Sequence, residues 1–520
     1  MPLGVVPVPV RLEAHDGPPF VLRAGVRVLA AEPVLDIAVL AAAQLGRAGG
    51  TPLTAQQPHD AAPGHAGSDA AGRPHADGRP HADSTAPGVI ELALADASEL
   101  GLATGLAAEL VAEAHRIEVT ARGVVVRAVT AAGLGRAVAT LVQLVRADGP
   151  TGVLDPCLVV DHPRFAWRGL ALDVSRHFFA VPEVIAVIDV MADYKLNVLH
   201  LHLTDDQGWR LEVAGRPELT ERSGATSVGG ERGGFYTAAD YAALVAHAAT
   251  RHVVVVPEID VPGHVNAALH ADGRLTPSGE PPGAYTGIEV GFSRLHAGLP
   301  ATETFLRDVF GAVAAMTPGR HVHLGGDEVL TMVPEEYAAL VRSAAGHIEA
   351  AGKTVVGWQE VAGVLPLPGP RAREVVIQYW DEREGAAEVA AAVGRGARVL
   401  LSPASRVYLD MKYDADSPIG LEWAGHVEVR DAYDWEPLDV LDVPADRVAG
   451  VEAGLWTETV VTAEDLFWLL LPRLVAVAEV AWSPAARRDW DGFAARLAGQ
   501  SRRWDAAGLT WHRSPQVPWP

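Results

Sequence analysis

The chain has 520 residues, with 42 Lys and Arg against 65 Asp and Glu, and a formal net charge of −23. That acidic balance argues against a nucleic-acid or anionic-membrane partner, since either needs a basic surface. A composition of 49% hydrophobic and 21% charged residues supports large buried cores. The single cysteine, Cys157, excludes an internal disulfide framework and a cysteine-cluster metal site. All 13 tryptophans lie at Trp167 or later, so the two parts of the chain have different work to do.

The first ten residues carry no basic stretch and are broken by Pro2, Pro7 and Pro9, which is not the pattern of a secretory leader. No segment offers about 18 uninterrupted apolar residues, the length of a membrane span. A cytoplasmic location without a membrane partner is the expectation.

Residues 1–160 alternate short β-rich runs with Ala-rich helical ones. Val21 to Leu29 and Val89 to Leu94 read as strands, and Arg116 to Val129 as a hairpin around Ala121-Arg122-Gly123. Leu35 to Leu45 and Gly133 to Val145 have helical spacing. The expectation is a small α+β domain. A Pro/Gly/His/Ala/Asp tract interrupts it at about 56–88 and holds the tandem repeat Gly72-Arg73-Pro74-His75-Ala76-Asp77, Gly78-Arg79-Pro80-His81-Ala82-Asp83. So few apolar residues cannot offset the entropy of ordering, so the tract reads as a surface loop. Its His59, His65, His75 and His81 read as loop residues, and no metal is expected.

From Asp161 onward, apolar runs of four to eight residues alternate with longer helical segments, the pattern of βα units around a parallel sheet. The runs are Leu170–Val174, Val198–Leu203, Val253–Pro257, His321–Leu324, Thr354–Trp358, Val375–Tyr379, Arg398–Leu401 and Val451–Leu455. Eight runs predict a (β/α)8 barrel over 161–520, ending in a helical segment, with chemistry at the carboxyl ends of the strands. Polar residues do cluster there: Asp173 to His177, Thr204 to Gln207, Glu258 to His264 and Gly325 to Glu328. Trp358, Trp380, Tyr408 with Asp410, and Trp456 to Glu458 follow the later runs. Helix capping accounts for some strand-end Asp and Glu. It does not account for three tryptophans and an Arg-His pair in one layer.

A pocket walled by indoles and rimmed by carboxylates and an arginine suits a carbohydrate, whose C–H faces pack on rings while its hydroxyls bond to charged groups. Trp468, Trp482 and Trp490 lie on apparent helices and read as core. Glycosidic cleavage commonly takes two carboxylates flanking the sugar. Asp327 and Glu328 are adjacent, and on an extended segment neighbours point apart. They cannot be that pair in the usual sense.

The strings Arg168 to Phe178, Leu201 to Trp209, Asp260-Val261-Pro262-Gly263-His264, His323 to Glu328 and Leu455-Trp456-Thr457-Glu458 resemble, in order, those of glycoside hydrolase family 20, the β-N-acetylhexosaminidases. The leading α+β domain is similar to that family's amino-terminal domain. The resemblance implies an exo-acting, retaining enzyme that removes terminal β-linked GlcNAc or GalNAc from oligosaccharides or glycoconjugates, without a cofactor. The substrate's own acetamido oxygen would attack the anomeric carbon and give an oxazolinium intermediate. By the same resemblance Glu328 is the general acid and then base, Asp327 accepts the acetamido N–H, and Tyr408 donates to the acetamide oxygen. Arg176 would bind ring hydroxyls beside Glu458, with Asp410 at the ring's far edge. Trp358, Trp380 and Trp456 would wall the pocket, and Asp205 and His264 would support Glu328. Pro366, Pro368 and Pro370 mark an altered rim loop, and the stretch 414–436, with Trp423 and Trp435, is a further subsite, a lid or an interface patch.

Two rival readings belong to other classes. His200-Leu201-His202 and His321-Val322-His323 each face one side of a strand, as the ligands of a metal-dependent amidohydrolase would. They sit inside their strands, before the carboxylate-bearing ends. A non-catalytic glycan-binding protein is the other, against which stands the joint presence of acid, acetamide-orienting pair and sugar-binding arginine.

Overall fold

The computed structural model describes residues 4–58, 88–149, 151–367 and 374–520, and the chain divides into two compact units. One comprises the residues up to Pro163 except Val6–Val8; the other is Val6–Val8 with Arg164–Pro520. The tandem repeat, its histidines, Pro368 and Pro370 fall outside the described residues. No helix among the described residues is long and apolar enough to cross a membrane.

In the first unit a seven-stranded mixed sheet runs in the order Arg11–Ala14, Cys157–Asp161, His115–Thr120, Gly123–Ala128, Val89–Leu94, Arg27–Ala30, Thr54–Gln56. The expected hairpin is there, pairing Thr120 with Gly123. Its first strand alternates buried and open positions, as a sheet with one covered face requires. Helices Leu35–Gly49 and Ala131–Leu144 share one apolar core with the sheet. The run expected as a single strand from Val21 to Leu29 is instead two strands, Phe20–Leu22 and Arg27–Ala30, in different sheets. Gly25 adopts φ +89°, a left-handed turn that a continuous strand cannot contain.

The second unit is a closed eight-stranded parallel barrel. Its strands are Trp167–Asp173, Val198–His202, Val254–Glu258, His321–His323, Thr354–Trp358, Val376–Tyr379, Arg398–Leu401 and Val448–Leu455. Nearly every strand residue is buried, because helices cover the outside and side chains fill the inside. The first and eighth strands begin three residues earlier than their apolar runs, at Trp167 and Val448. The extra residues lengthen the seam that closes the barrel, with Trp167 opposite Gly450 and Arg168 opposite Val451. Long helices follow most strands, for example Val181–Asp193, Ala238–Thr250, Pro300–Met316 and Pro334–Ala350. Three start with Pro in the first turn and one with a Thr237/Asp240 capping box. Among the described residues, short helical turns follow the fifth and seventh strands, Gln359–Gly363 and Ala404–Val407.

The period of two along each strand stacks inward side chains in layers. Lowest is an apolar layer of Trp167, Val198, Val256, Val356, Val376, Leu400 and Ala449. Two residues further along the same strands come His200, Glu258, Trp358 and Gln378, joined by His323 and Glu452. The strand ends form the third layer.

Candidate active site

Three devices hold the strand ends in place. Asp173 closes the seam between the first and eighth strands: one oxygen accepts from the Ser175 and Arg176 amides, the other from the Thr457 amide and hydroxyl at 3.0 Å each. The buried Arg210 guanidinium donates to the carbonyls of Val174, Ser175, Gly224 and Thr226, which fixes the backbone next to Arg176. Arg473, also buried, donates to the carbonyls of Leu409, Met411 and Val427 and pins the loop bearing Tyr408 and Asp410. The carboxylate is satisfied by amide and hydroxyl donors and the two guanidiniums by backbone carbonyls, the state in which burying a charge is tolerable.

These supports frame a cavity of about 240 Å³ lined by Arg176, His202, Asp327, Glu328, Trp358, Trp380, Tyr408, Asp410, Trp456 and Glu458, with Ile288, Val290, Arg383, Leu421 and Trp423 nearer its mouth. Nine residues expected from the sequence at the site therefore line one cavity. Asp205 and His264 do not line it; they stand behind it. Trp380 and Tyr408 lie parallel at 6.2 Å between centroids, Trp358 and Trp456 meet at 5.7 Å, and the Arg176 guanidinium lies 5.2 Å from the Trp456 ring. Trp423, 42% exposed, packs edge-on against Trp380 and Tyr408 and so belongs to the wall, whereas Trp435 is packed against the hydrophobic core.

Asp327 and Glu328 do not sit on the extended segment expected from the sequence. The segment is not extended: Gly325 and Gly326 take φ +74° and +109°, and Glu328 itself φ +50°. A left-handed non-glycine residue is strained, and such strain gathers at functional positions. The Gly-Gly pair serves close packing rather than ligand approach, since a Cβ on Gly325 would fall 1.8 Å from Asp260 Oδ1. That oxygen accepts the Gly326 N–H at 3.0 Å, and the Tyr337 hydroxyl donates to the Gly326 carbonyl. The turn leaves the Asp327 side chain 14% exposed and that of Glu328 32%, so Glu328 faces the open side.

Behind them runs a chain of charges. His264 Nε2 lies 3.4 Å from Glu328 and 3.5 Å from Asp327, and its Nδ1 is 3.1 Å from Asp205. Asp205 also takes an ion pair from Arg176 at 2.9 Å and a contact from His202 at 2.7 Å. Against burial, Arg176, His264 and His202 hold the Asp205 carboxyl well below its usual range. Against burial again, Asp205 and Asp327 hold the His264 imidazole well above its usual value, that is, as a cation. Burial pushes Asp327 up to about 6, with His264 opposing and Glu328 adding to the rise. Burial and the Asp327 charge drive Asp260 well above its usual range. One oxygen from each of these carboxyls and one His264 nitrogen lie within 4.8 Å of each other.

At the other side of the cavity both Asp410 oxygens, Arg176 Nε and Glu458 Oε2 are buried without a hydrogen-bond partner. A buried polar atom left so is costly, and hydroxyls of a bound sugar would satisfy this set. The first His-x-His pair is hydrogen-bonded to carboxylates. His200 and His202 contact Glu452, Glu258 and Asp205 at 2.6–3.0 Å, the range of imidazole–carboxylate hydrogen bonds.

With this geometry in place, comparison with known proteins becomes decisive. The glycosyl hydrolase family 20 catalytic-domain model matches residues 165–485, and the family's domain 2 model matches 3–162. The chain belongs to glycosyl hydrolase family 20. It is 51% identical to a β-N-acetylhexosaminidase of Cellulomonas fimi across 100% of this chain and 97% of that one. Among solved structures, the family 20 β-N-acetylhexosaminidase of Streptomyces coelicolor A3(2) superposes with a TM-score of 0.87 at 41% identity, covering 100% of this chain and 99% of that one. A mutant Streptomyces plicatus β-hexosaminidase in complex with its product GlcNAc gives the same TM-score and identity, covering 100% and 98%.

Several wall residues of this family 20 chain were not anticipated. Ile288, Val290 and Arg383 sit on loops with no periodic signal. His202 was legible, since residue 202 shares the inward parity of Val198 and His200. Glu360 is the other omission: its buried carboxyl, raised by burial and by Asp327, lies 3.4 Å from Trp380 Nε1 and lines a second cavity of about 400 Å³ that meets the first at Glu328, Trp380 and Arg383.

Proposed function

We propose that this chain is a retaining exo-β-N-acetylhexosaminidase that uses the substrate's acetamide as its nucleophile. The observation that carries the reading is the unequal exposure of two adjacent carboxylates at the left-handed turn, Asp327 at 14% and Glu328 at 32%, which supports giving them different roles. Glu328, on the open side, protonates the leaving oxygen and then takes the proton of the attacking water. Asp327, the less exposed of the two and lining the same cavity as Tyr408 and the indoles, accepts the acetamido N–H and offsets the positive charge that grows there as the ring closes. Tyr408 donates its hydroxyl hydrogen to the acetamide oxygen and directs that oxygen at the anomeric carbon, so attack is unimolecular. Burial and the Asp410 charge keep the Tyr408 phenol well above its ordinary value, so it remains a donor. Arg176, Asp410 and Glu458 hold the ring hydroxyls, which agrees with their unpaired buried atoms.

Two displacements at the anomeric carbon, one by the acetamide oxygen and one by water, restore the starting configuration. Proton NMR of the first product formed from an aryl β-N-acetylglucosaminide tests this. The β-anomer of GlcNAc should appear first and mutarotate later; initial release of the α-anomer refutes the reading.

A further inference from the structure

Glu258 stands at the end of the third barrel strand, in the layer below the cavity, and does not line it. It is fully buried, yet donors from two other strands converge on its carboxylate. His202 Nδ1 donates at 2.6 Å and Trp358 Nε1 at 2.8 Å, His200 Nε2 lies in ion-pair range at 3.0 Å, and His323 Nδ1, 3.1 Å away, accepts the Gly325 N–H. Two of these donors lead to different parts of the site. Trp358 is a wall of the cavity. His202 passes to Asp205 at 2.7 Å, Asp205 to His264 at 3.1 Å, and His264 to Glu328 at 3.4 Å.

We infer that Glu258 is a positioning residue shared by both halves of the machinery: it fixes the Trp358 wall directly, and through His202 and Asp205 it orients the histidine that faces Glu328. A buried anion is held in place only where donors compensate it. Here the compensating donors are the parts whose placement matters, so one carboxylate sets two side chains at once. The charges agree. Against burial, His202, His323 and His200 hold Glu258 well below its usual range, while Glu258 and Asp205 hold His202 well above its own. A protonated His202 donates at both nitrogens, the one state that serves Glu258 and Asp205 together. The layer extends to Glu452, which accepts from His200, Gln378 and Trp167 at 2.9, 2.9 and 2.7 Å. Gly169 makes room for it, since a Cβ there would lie 2.1 Å from Glu452 Oε2.

The inference rests on the reading of Glu328 as the acid, and its test separates the two. The experiment compares kcat/KM across aryl β-N-acetylglucosaminides, from 2,4-dinitrophenyl, whose leaving group needs no proton, to phenyl, which does. Glu258→Gln keeps an acceptor for Trp358 and removes the charge that holds His202 protonated. It should lose roughly tenfold to a hundredfold on the phenyl glycoside, the lower part of what a positioned general acid contributes, and less than about threefold on the dinitrophenyl glycoside. Glu258→Ala should lose on every member, because Trp358 is released as well. His202→Asn and Trp358→Phe cut one arm each: the first should reproduce the leaving-group dependence, the second a uniform loss with raised KM. A folded Glu258→Gln enzyme that keeps wild-type rates, or loses equally across the series, overturns the inference. If that variant does not fold, a uniform loss in His202→Asn overturns it. Glu328→Gln serves as the reference: absence of leaving-group dependence there refutes the assignment of the acid instead.

Discussion

In the barrel's middle layer Glu452 accepts from the side chains of His200, Gln378 and Trp167, each on a different strand. One repeat nearer the strand ends Asp410, just as buried, has both oxygens without a hydrogen-bond partner, and Arg176 Nε and Glu458 Oε2 share that state. The same barrel thus surrounds one set of carboxylates with its own donors and leaves the other set wanting. The first arrangement contributes rigidity and one defined packing. The second costs stability, and a ligand with many hydroxyls offsets the cost on binding, which is how a site gains selectivity for a polyol.

Four outcomes break or sharpen that contrast. The largest effect belongs to the strand-end carboxylates: Glu328→Gln and Asp327→Asn should each lower kcat/KM on p-nitrophenyl β-N-acetylglucosaminide by on the order of 10³-fold, with unchanged melting temperature. A loss of stability in place of activity would reverse the assignment of the layers. In the lowest layer, Leu400→Ala should destabilise by about 2–5 kcal/mol in chemical denaturation while kcat/KM stays within about threefold. Tyr408→Phe removes one hydrogen bond that forms fully only as the acetamide attacks, so kcat should fall by about 10²-fold with KM little changed. The smallest effect is on pH. Asp327 must be ionised to accept the acetamido N–H, and its carboxyl, pushed up to about 6, gains a proton as pH falls through that value. Below it, kcat/KM should drop by about tenfold per pH unit, and Asp327→Asn, already slow, should lack that limb.

The rim was legible in the sequence and the middle layer was not. Most rim residues end or closely follow an apolar run, which placed Arg176, Asp327, Trp358, Trp380 and Trp456 together, and the seventh run leads on to Tyr408 and Asp410. The middle layer obeys pairing between distant positions: His200 meets Glu452 across 252 residues, and Glu258 meets Trp358 across 100. A glutamate inside an apolar run makes sense only once its partner strand is known. Backbone sign was hidden too, because Glu328 belongs to no class of residue that favours positive φ. In the smaller unit, Val21 to Leu29 read as one strand because Gly25 is a single small residue in an apolar run, and only its left-handed turn splits the segment.

The central claim is that the substrate's acetamide does the work of an enzymic nucleophile. The most direct test is kcat/KM for p-nitrophenyl β-N-acetylglucosaminide against p-nitrophenyl β-glucoside, which differ in that group alone. An intramolecular nucleophile predicts a preference for the acetamido sugar of on the order of 10³-fold or more. Comparable rates on the two would contradict it.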